Sequence, residues 1–200
     1  MSRRESKQHG ENQADDPVAR AQAEAQATPK DGRGAGVAQG NGYEPTLFVV
    51  FGVTGDLAKR KLLPALWALH EQGLTPGGCY VLGVGRSALD DKSVRAIARE
   101  AAKAEKGCTE AEARAWANEY VYGIGGMEDD LGPLVERIEE IEQKHGLGHR
   151  RVFYLSLPPT VFPATIEALG KAGLHKAKAR KGEGAAWSRL VIEKPFGRDL

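Results

Sequence analysis

The chain has 200 residues, 41% of them apolar and 28% charged, enough apolar material for one core of ordinary domain size. Its 28 Lys and Arg stand against 27 Asp and Glu, a formal net charge of +1, and so even a balance gives no general reason to bind nucleic acid or an anionic membrane. Cys79 and Cys108 lack the spacing of a zinc site or a disulfide framework, which points away from metal binding and toward a reducing cytoplasm.

Residues 1–44 contain no Leu, Ile, Phe or Trp, so they cannot bury enough surface to offset the entropy of ordering; a disordered tail is expected there, with one domain over 45–200. Arg3-Arg4 is followed by no apolar stretch, and acidic residues follow at Glu5, Glu11, Asp15 and Asp16, so neither an export signal nor a transit peptide is read. No apolar run approaches the roughly 20 residues that cross a bilayer.

Beyond the tail, strand-length apolar runs alternate with helix-length segments. Strands are predicted over 47–51, 80–84, 120–124, 152–157 and 190–192, and helices over 56–72, 91–106, 110–118, 129–144 and 161–172. This alternation predicts an α/β fold with a doubly wound parallel sheet, Rossmann-like in class. Thr109 and Glu112 have capping-box spacing, and Gly73, Gly107, Gly146 and Gly173 mark helix ends. Pro64 falls inside the first helix, where it removes a backbone donor and is expected to bend it.

The first strand runs into "FGVTGDLAKRK", in which Gly52, Gly55 and Ala58 form G-x-x-G-x-x-A between strand and helix. Bare backbone at that turn lets an anion reach unpaired helix amides, so a diphosphate suits it, although a merely tight turn has the same pattern. Thr54 adds a hydroxyl, and Lys59 and Lys61 add charge, unless they are only a solvated helix face. The second strand, "YVLGVGRS", ends on Arg86 where an NAD binder carries an acid; a guanidinium there suits a 2'-phosphate and favours NADP, the alternative being a surface arginine. "FYLSLPPTVF" ends a strand at Pro158-Pro159, and "RLVIEKPFGRDL" places Glu193 and Lys194 at the end of the last, with Pro195 holding Lys194 extended.

Together, "GVTGDLAKRKLLPALW", "GVGRS", "FYLSLPPTVF" and "VIEKPFGRDL", in this order, resemble the N-terminal coenzyme domain of the glucose-6-phosphate dehydrogenase family, over residues 46–200. The resemblance implies an NADP-linked oxidation of glucose 6-phosphate to a 6-phosphogluconolactone, by a full-length protein that is a homo-oligomer. It implies coenzyme contacts from Gly52, Val53, Thr54, Gly55, Asp56, Leu57, Ala58 and Lys59, with Lys61 near the phosphates and Arg86 on the 2'-phosphate. It also puts Tyr120, Gly125, Phe162 and Glu193 beside the coenzyme, and Lys194, as the catalytic residue, where sugar and nicotinamide meet. Pro195 is implied in coupling the two sites. The substrate signature Arg-Ile-Asp-His-Tyr-Leu-Gly-Lys is expected beyond Leu200, together with the domain that carries the catalytic histidine. The chain is therefore expected to supply the coenzyme part and to be inactive alone, the alternative being a free-standing dinucleotide-binding module. His145 and His149 have the spacing of a helical metal pair, but Gly146 and Gly148 intervene and no metal site is read. The basic loop 175–184 is read as solvated.

Overall fold

Strand β1, Thr46–Phe51, is apolar at nearly every position because both faces of its sheet are covered. Leu47, Val49 and Phe51 enter one core and Val50 the other, as the two-residue period of a strand requires. The structure, a computed structural model, describes residues 44–75, 78–126, 130–179 and 185–194. The expected tail lies outside these residues apart from Glu44, as do Asp129, Pro195 and the second half of the basic loop.

After β1 the chain forms a π-helical turn, Ala58–Leu62, continuing into α1, Leu63–Glu71. There follow β2 (Cys79–Gly85), α2 (Asp91–Lys103), α3 (Glu110–Tyr120), β3 (Val121–Gly125), α4 (Gly132–His145) and β4 (Arg150–Leu155). A 3-10 turn, Pro159–Val161, opens α5, Phe162–Lys171, and β5 is Trp187–Ile192. All strand pairings are parallel, in the order β3-β2-β1-β4-β5. One core joins α1, α2 and α3 to the sheet through Leu66, Trp67, Val94 and Trp116; the other joins α4 and α5 to the opposite face through Leu134, Ile138 and Leu169. The predicted doubly wound parallel sheet is what forms.

Several boundaries differ for physical reasons. The first helix is not one bent α-helix: Pro64 sits in the first turn of α1, where a missing N–H is harmless, and the irregularity precedes it as the π-helical turn, with the Leu63 N–H reaching Ala58 O. Strand β4 begins at Arg150 rather than 152, because Arg150 and Arg151 are only 4% and 5% exposed and lie in the sheet. Strand β5 begins at Trp187 rather than 190, taking in Ser188 and Arg189 by pairing with β4. Helix α3 extends to Tyr120, so β3 starts one residue late. The capping box forms as expected, with the Thr109 hydroxyl accepting from the Glu112 N–H and the Glu112 carboxylate accepting from the Thr109 N–H. Gly73, Gly107, Gly146 and Gly173 all follow helices at positive φ.

Two polar devices hold the layers. At the outer edge of β3, Asp91 accepts from the Gly123 N–H at 2.9 Å and Arg95 donates to Val121 O at 2.9 Å, so side chains take edge groups that another strand would otherwise pair with. Asp91 also accepts from Arg137 of α4 at 2.6 Å, which ties the two helical layers around that edge. Below β4, Arg151 donates two bonds to the buried Glu142 carboxylate, at 2.6 and 2.7 Å. Removing one charge strands the other in a low-dielectric interior. Arg151→Met is therefore expected to cost about 3–5 kcal/mol in urea denaturation, and Arg151→Met with Glu142→Leu to recover most of it; a single variant as stable as the parent refutes the pairing.

Candidate functional site

The chain leaves β1 toward β2 and β3 on one side and occupies β4 and β5 on the other, so the strand order reverses between β1 and β4. Just beyond the carboxyl ends of those strands an open parallel sheet presents its ligand crevice. The G-x-x-G-x-x-A turn stands there, and its three small residues do three different things. Gly52 has φ +78° with its N–H bonded to Val84 O at 2.9 Å, and a Cβ would fall 2.1 Å from the Ser156 carbonyl of β4's exit. Its bareness makes the turn tight. A Cβ on Gly55 would meet only Gly52 O at 3.1 Å and Ser156 O at 3.9 Å, which leaves its outer side open to an approaching group. Ala58 is fully buried, letting the helix lie close on the sheet. Tight turn, open backbone and close packing are the three tasks such a turn performs for a diphosphate.

Val53 is also fully buried and anchors the turn, so only its backbone faces the crevice. Thr54, Asp56, Leu57, Lys59 and Lys61 are exposed around it. Asp56 lies 3.6 Å from Arg60, both in solvent, whereas Lys59 and Lys61 have no ion-pair partner among the described residues. The first helical turn leaves amides without intrahelical partners, and π-helical turns, rare in general, occur frequently at functional sites. The residues therefore fit a phosphate-bearing ligand: bare backbone, helix amides and two free cations.

Arg86 follows β2 directly, exposed and likewise without an ion-pair partner among the described residues. Gly125, at the end of β3, is occupied from within: a Cβ there would strike Ser87 O at 2.2 Å and Leu89 N at 2.7 Å, so this glycine seats the loop that carries Arg86. Glu193 and Lys194 follow β5 at the same edge, both exposed. Sequence reasoning passed over Tyr154 of β4, whose hydroxyl donates to the Glu193 carboxylate. Burial, that bond and the carboxylate's charge push the phenol up to about 12. The signal was a tyrosine two residues before Ser156, in a strand read only for its apolar run.

Two expected residues are not brought to the crevice. Tyr120 lies at the opposite, amino edge, where its ring meets His70 at 4.7 Å and Tyr80 at 5.2 Å. Burial and the neighbouring Glu119 push its phenol up to about 12. Tyr120 is the last residue of α3, immediately before β3 begins, and so stands at the edge where the parallel strands start rather than where the crevice opens. Phe162 does begin α5 at the carboxyl edge, but it is 4% exposed and packs in the α4–α5 core. The described histidines also gather at the amino edge. His145 stacks on Tyr80 at 4.0 Å and contacts the Tyr122 hydroxyl at 2.7 Å; burial first, then Lys144, holds it below the usual imidazole range. His149 O accepts from the first residue of β5, and His175 follows a turn whose Leu174 O accepts from Ser188.

A five-stranded parallel sheet wound on both faces, with such a turn after its first strand, defines a dinucleotide-binding domain of Rossmann type. Residues 49–200 match the family described as "Glucose-6-phosphate dehydrogenase, NAD binding domain". The chain belongs to that family. It is 35% identical over 161 residues to glucose-6-phosphate 1-dehydrogenase 2 of Mycobacterium tuberculosis, a match covering 78% of this chain and 30% of the relative. It is 35% identical over 159 residues to "Glucose-6-phosphate 1-dehydrogenase 6, cytoplasmic" of Arabidopsis thaliana, covering 76% and 30%. A solved structure titled glucose-6-phosphate dehydrogenase in complex with its substrate glucose-6-phosphate superposes with a TM-score of 0.63 at 31% identity, over 78% of this chain and 31% of the other. The match thus spans about a third of the length of these relatives.

Substituting Gly52 tests the turn. Gly52→Ala puts a side chain at positive φ against a backbone carbonyl, so a loss of about 1–3 kcal/mol or more is expected in chemical denaturation; a variant as stable as the parent means that the turn is not held by this contact.

Proposed function

We propose that this chain is the coenzyme-binding part of an NADP-dependent dehydrogenase that oxidises glucose 6-phosphate to 6-phosphogluconolactone, the entry reaction of the oxidative pentose phosphate pathway. The observation that carries the reading is the Gly52–Gly55–Ala58 turn standing beside an exposed Arg86, without an ion-pair partner among the described residues, at the end of the adjoining strand. The names of the relatives support the substrate, and the cytoplasmic relative supports a cytoplasmic setting. Homo-oligomerisation of the whole protein follows from the family resemblance.

Backbone from Gly52 to Lys59, with Lys61, holds the diphosphate, while the planar fork of Arg86 takes the 2'-phosphate that distinguishes NADP from NAD. Gly125 holds the Arg86 loop in place, and Glu193 faces the nicotinamide end. Lys194 orients the sugar at the junction of the two ligands. Bound NADP supplies the hydride acceptor. The substrate hydroxyl must also lose a proton to a base. The described histidines all stand at the amino edge, so that base comes from residues other than these. The same observation supports the second reading, in which these 200 residues bind a dinucleotide and catalyse nothing.

Arg86→Ala is expected to weaken NADP about 10- to 100-fold in titration calorimetry, the scale of a lost hydrogen bond between charged groups, and to leave NAD nearly unchanged. Equal losses for both coenzymes reject the assignment of Arg86. The 200-residue chain mixed with NADP and glucose 6-phosphate is expected to give no rise in absorbance at the NADPH band. Turnover above the blank would place a base within it.

A further inference from the structure

Tyr154 lies on the second strand of the crevice, paired with Val50 of β1 on one side and Val191 of β5 on the other. Its hydroxyl spans to the next strand and donates to the carboxylate of Glu193, the first residue after β5 and the neighbour of Lys194. Neither group has another side-chain partner among the described residues. A phenol facing a carboxylate keeps its proton, so the bond runs one way: oxygen to carboxylate, with the negative charge left on Glu193.

The strand order says what that charge faces. With a 2'-phosphate at the end of β2 and a diphosphate at the turn after β1, a dinucleotide laid across the edge has only one direction left for its second nucleoside, over β4 and β5. Neighbouring strands stand about 4.8 Å apart, so those two ends are within reach of a nucleoside anchored at β1. The nicotinamide ring is cationic when oxidised, and a carboxylate held beside it complements that charge.

The geometry points to Tyr154 as the positioning residue that holds the Glu193 carboxylate against the nicotinamide half of the coenzyme. This rests on the dinucleotide reading above. Without the hydroxyl, Glu193 is an exposed side chain at a strand end and samples several rotamers, and its charge is averaged away from the ring.

The test compares two probes by titration calorimetry on the same 200-residue chain. Adenosine 2',5'-bisphosphate carries the adenine half alone, and oxidised NADP carries both halves. Tyr154→Phe is expected to weaken NADP about three- to tenfold, the scale of one ordinary hydrogen bond because Tyr154 acts only through Glu193, and to leave the bisphosphate and the melting temperature unchanged. Glu193→Gln is expected to lose a similar factor for NADP, and the double variant no more than either single one. If Tyr154→Phe leaves NADP affinity intact while the parent binds both probes, the positioning role is wrong and the dinucleotide site stands. Equal loss on both probes, or a lowered melting temperature, makes Tyr154 a structural residue and overturns the inference. A parent chain that ignores the bisphosphate as well as NADP overturns the dinucleotide reading itself.

Discussion

The closest constraint in this molecule is the passage of one backbone past another at the reversal of strand order. The Ser156 carbonyl, leaving β4, lies where any side chain at position 52 would have to be, and the Ser156 N–H bonds Phe51 O at 3.0 Å. On the other flank the Gly52 N–H bonds Val84 O of β2. The turn is thus pinned from both sides of β1. Its backbone cannot swing out, and the amides at the start of the following helix hold one direction. A site that binds through backbone needs this rigidity, because amides cannot be re-aimed by a rotamer change.

That pinning divides the two edges of the sheet. At the carboxyl edge stand the open turn, the cations Lys59, Lys61 and Arg86, which have no ion-pair partner among the described residues, and the neighbours Glu193 and Lys194. At the amino edge, His70, Tyr120, Tyr80, His145 and Tyr122 form a continuous run of ring contacts. Burial holds both of those histidines below the usual imidazole range. The amino edge is thus lined by aromatic packing and by the Glu142–Arg151 pair, while the small-residue turn and Arg86 stand at the other end. Chain direction enforces the arrangement: each crossover in a parallel fold returns the chain to the amino edge, so residues just before a strand arrive there.

Most of the architecture was legible in the chain because apolar runs of strand length alternate with capped helices, and burial on both faces follows from that alternation. The small-residue turn and Arg86 were legible for a similar reason: each is bound to the end of a strand, and strand ends in a parallel sheet share an edge. What misled was identity without direction. Tyr120 is one residue from a strand, but it ends the helix that precedes β3 and so falls at the wrong edge. Arg150 and Arg151 fell outside the strand predicted over 152–157, yet both lie in β4, and Glu142 of α4, nine residues away in the chain, takes Arg151 into the interior. Phe162 reached the right edge, but core packing claimed its ring.

The amino-acid sequence by itself determined the class of fold, the place of the small-residue turn and the cation at the end of β2, because those depend on local periodicity and on small residues at fixed spacing. Only the tertiary structure decided which groups meet over long stretches of chain: the Ser156 carbonyl against Gly52, the Ser87 carbonyl against Gly125, and the Tyr154 hydroxyl with the Glu193 carboxylate, 39 residues apart. Those contacts depend on strand order and register, which are settled by packing of the whole sheet and leave no mark in any one segment.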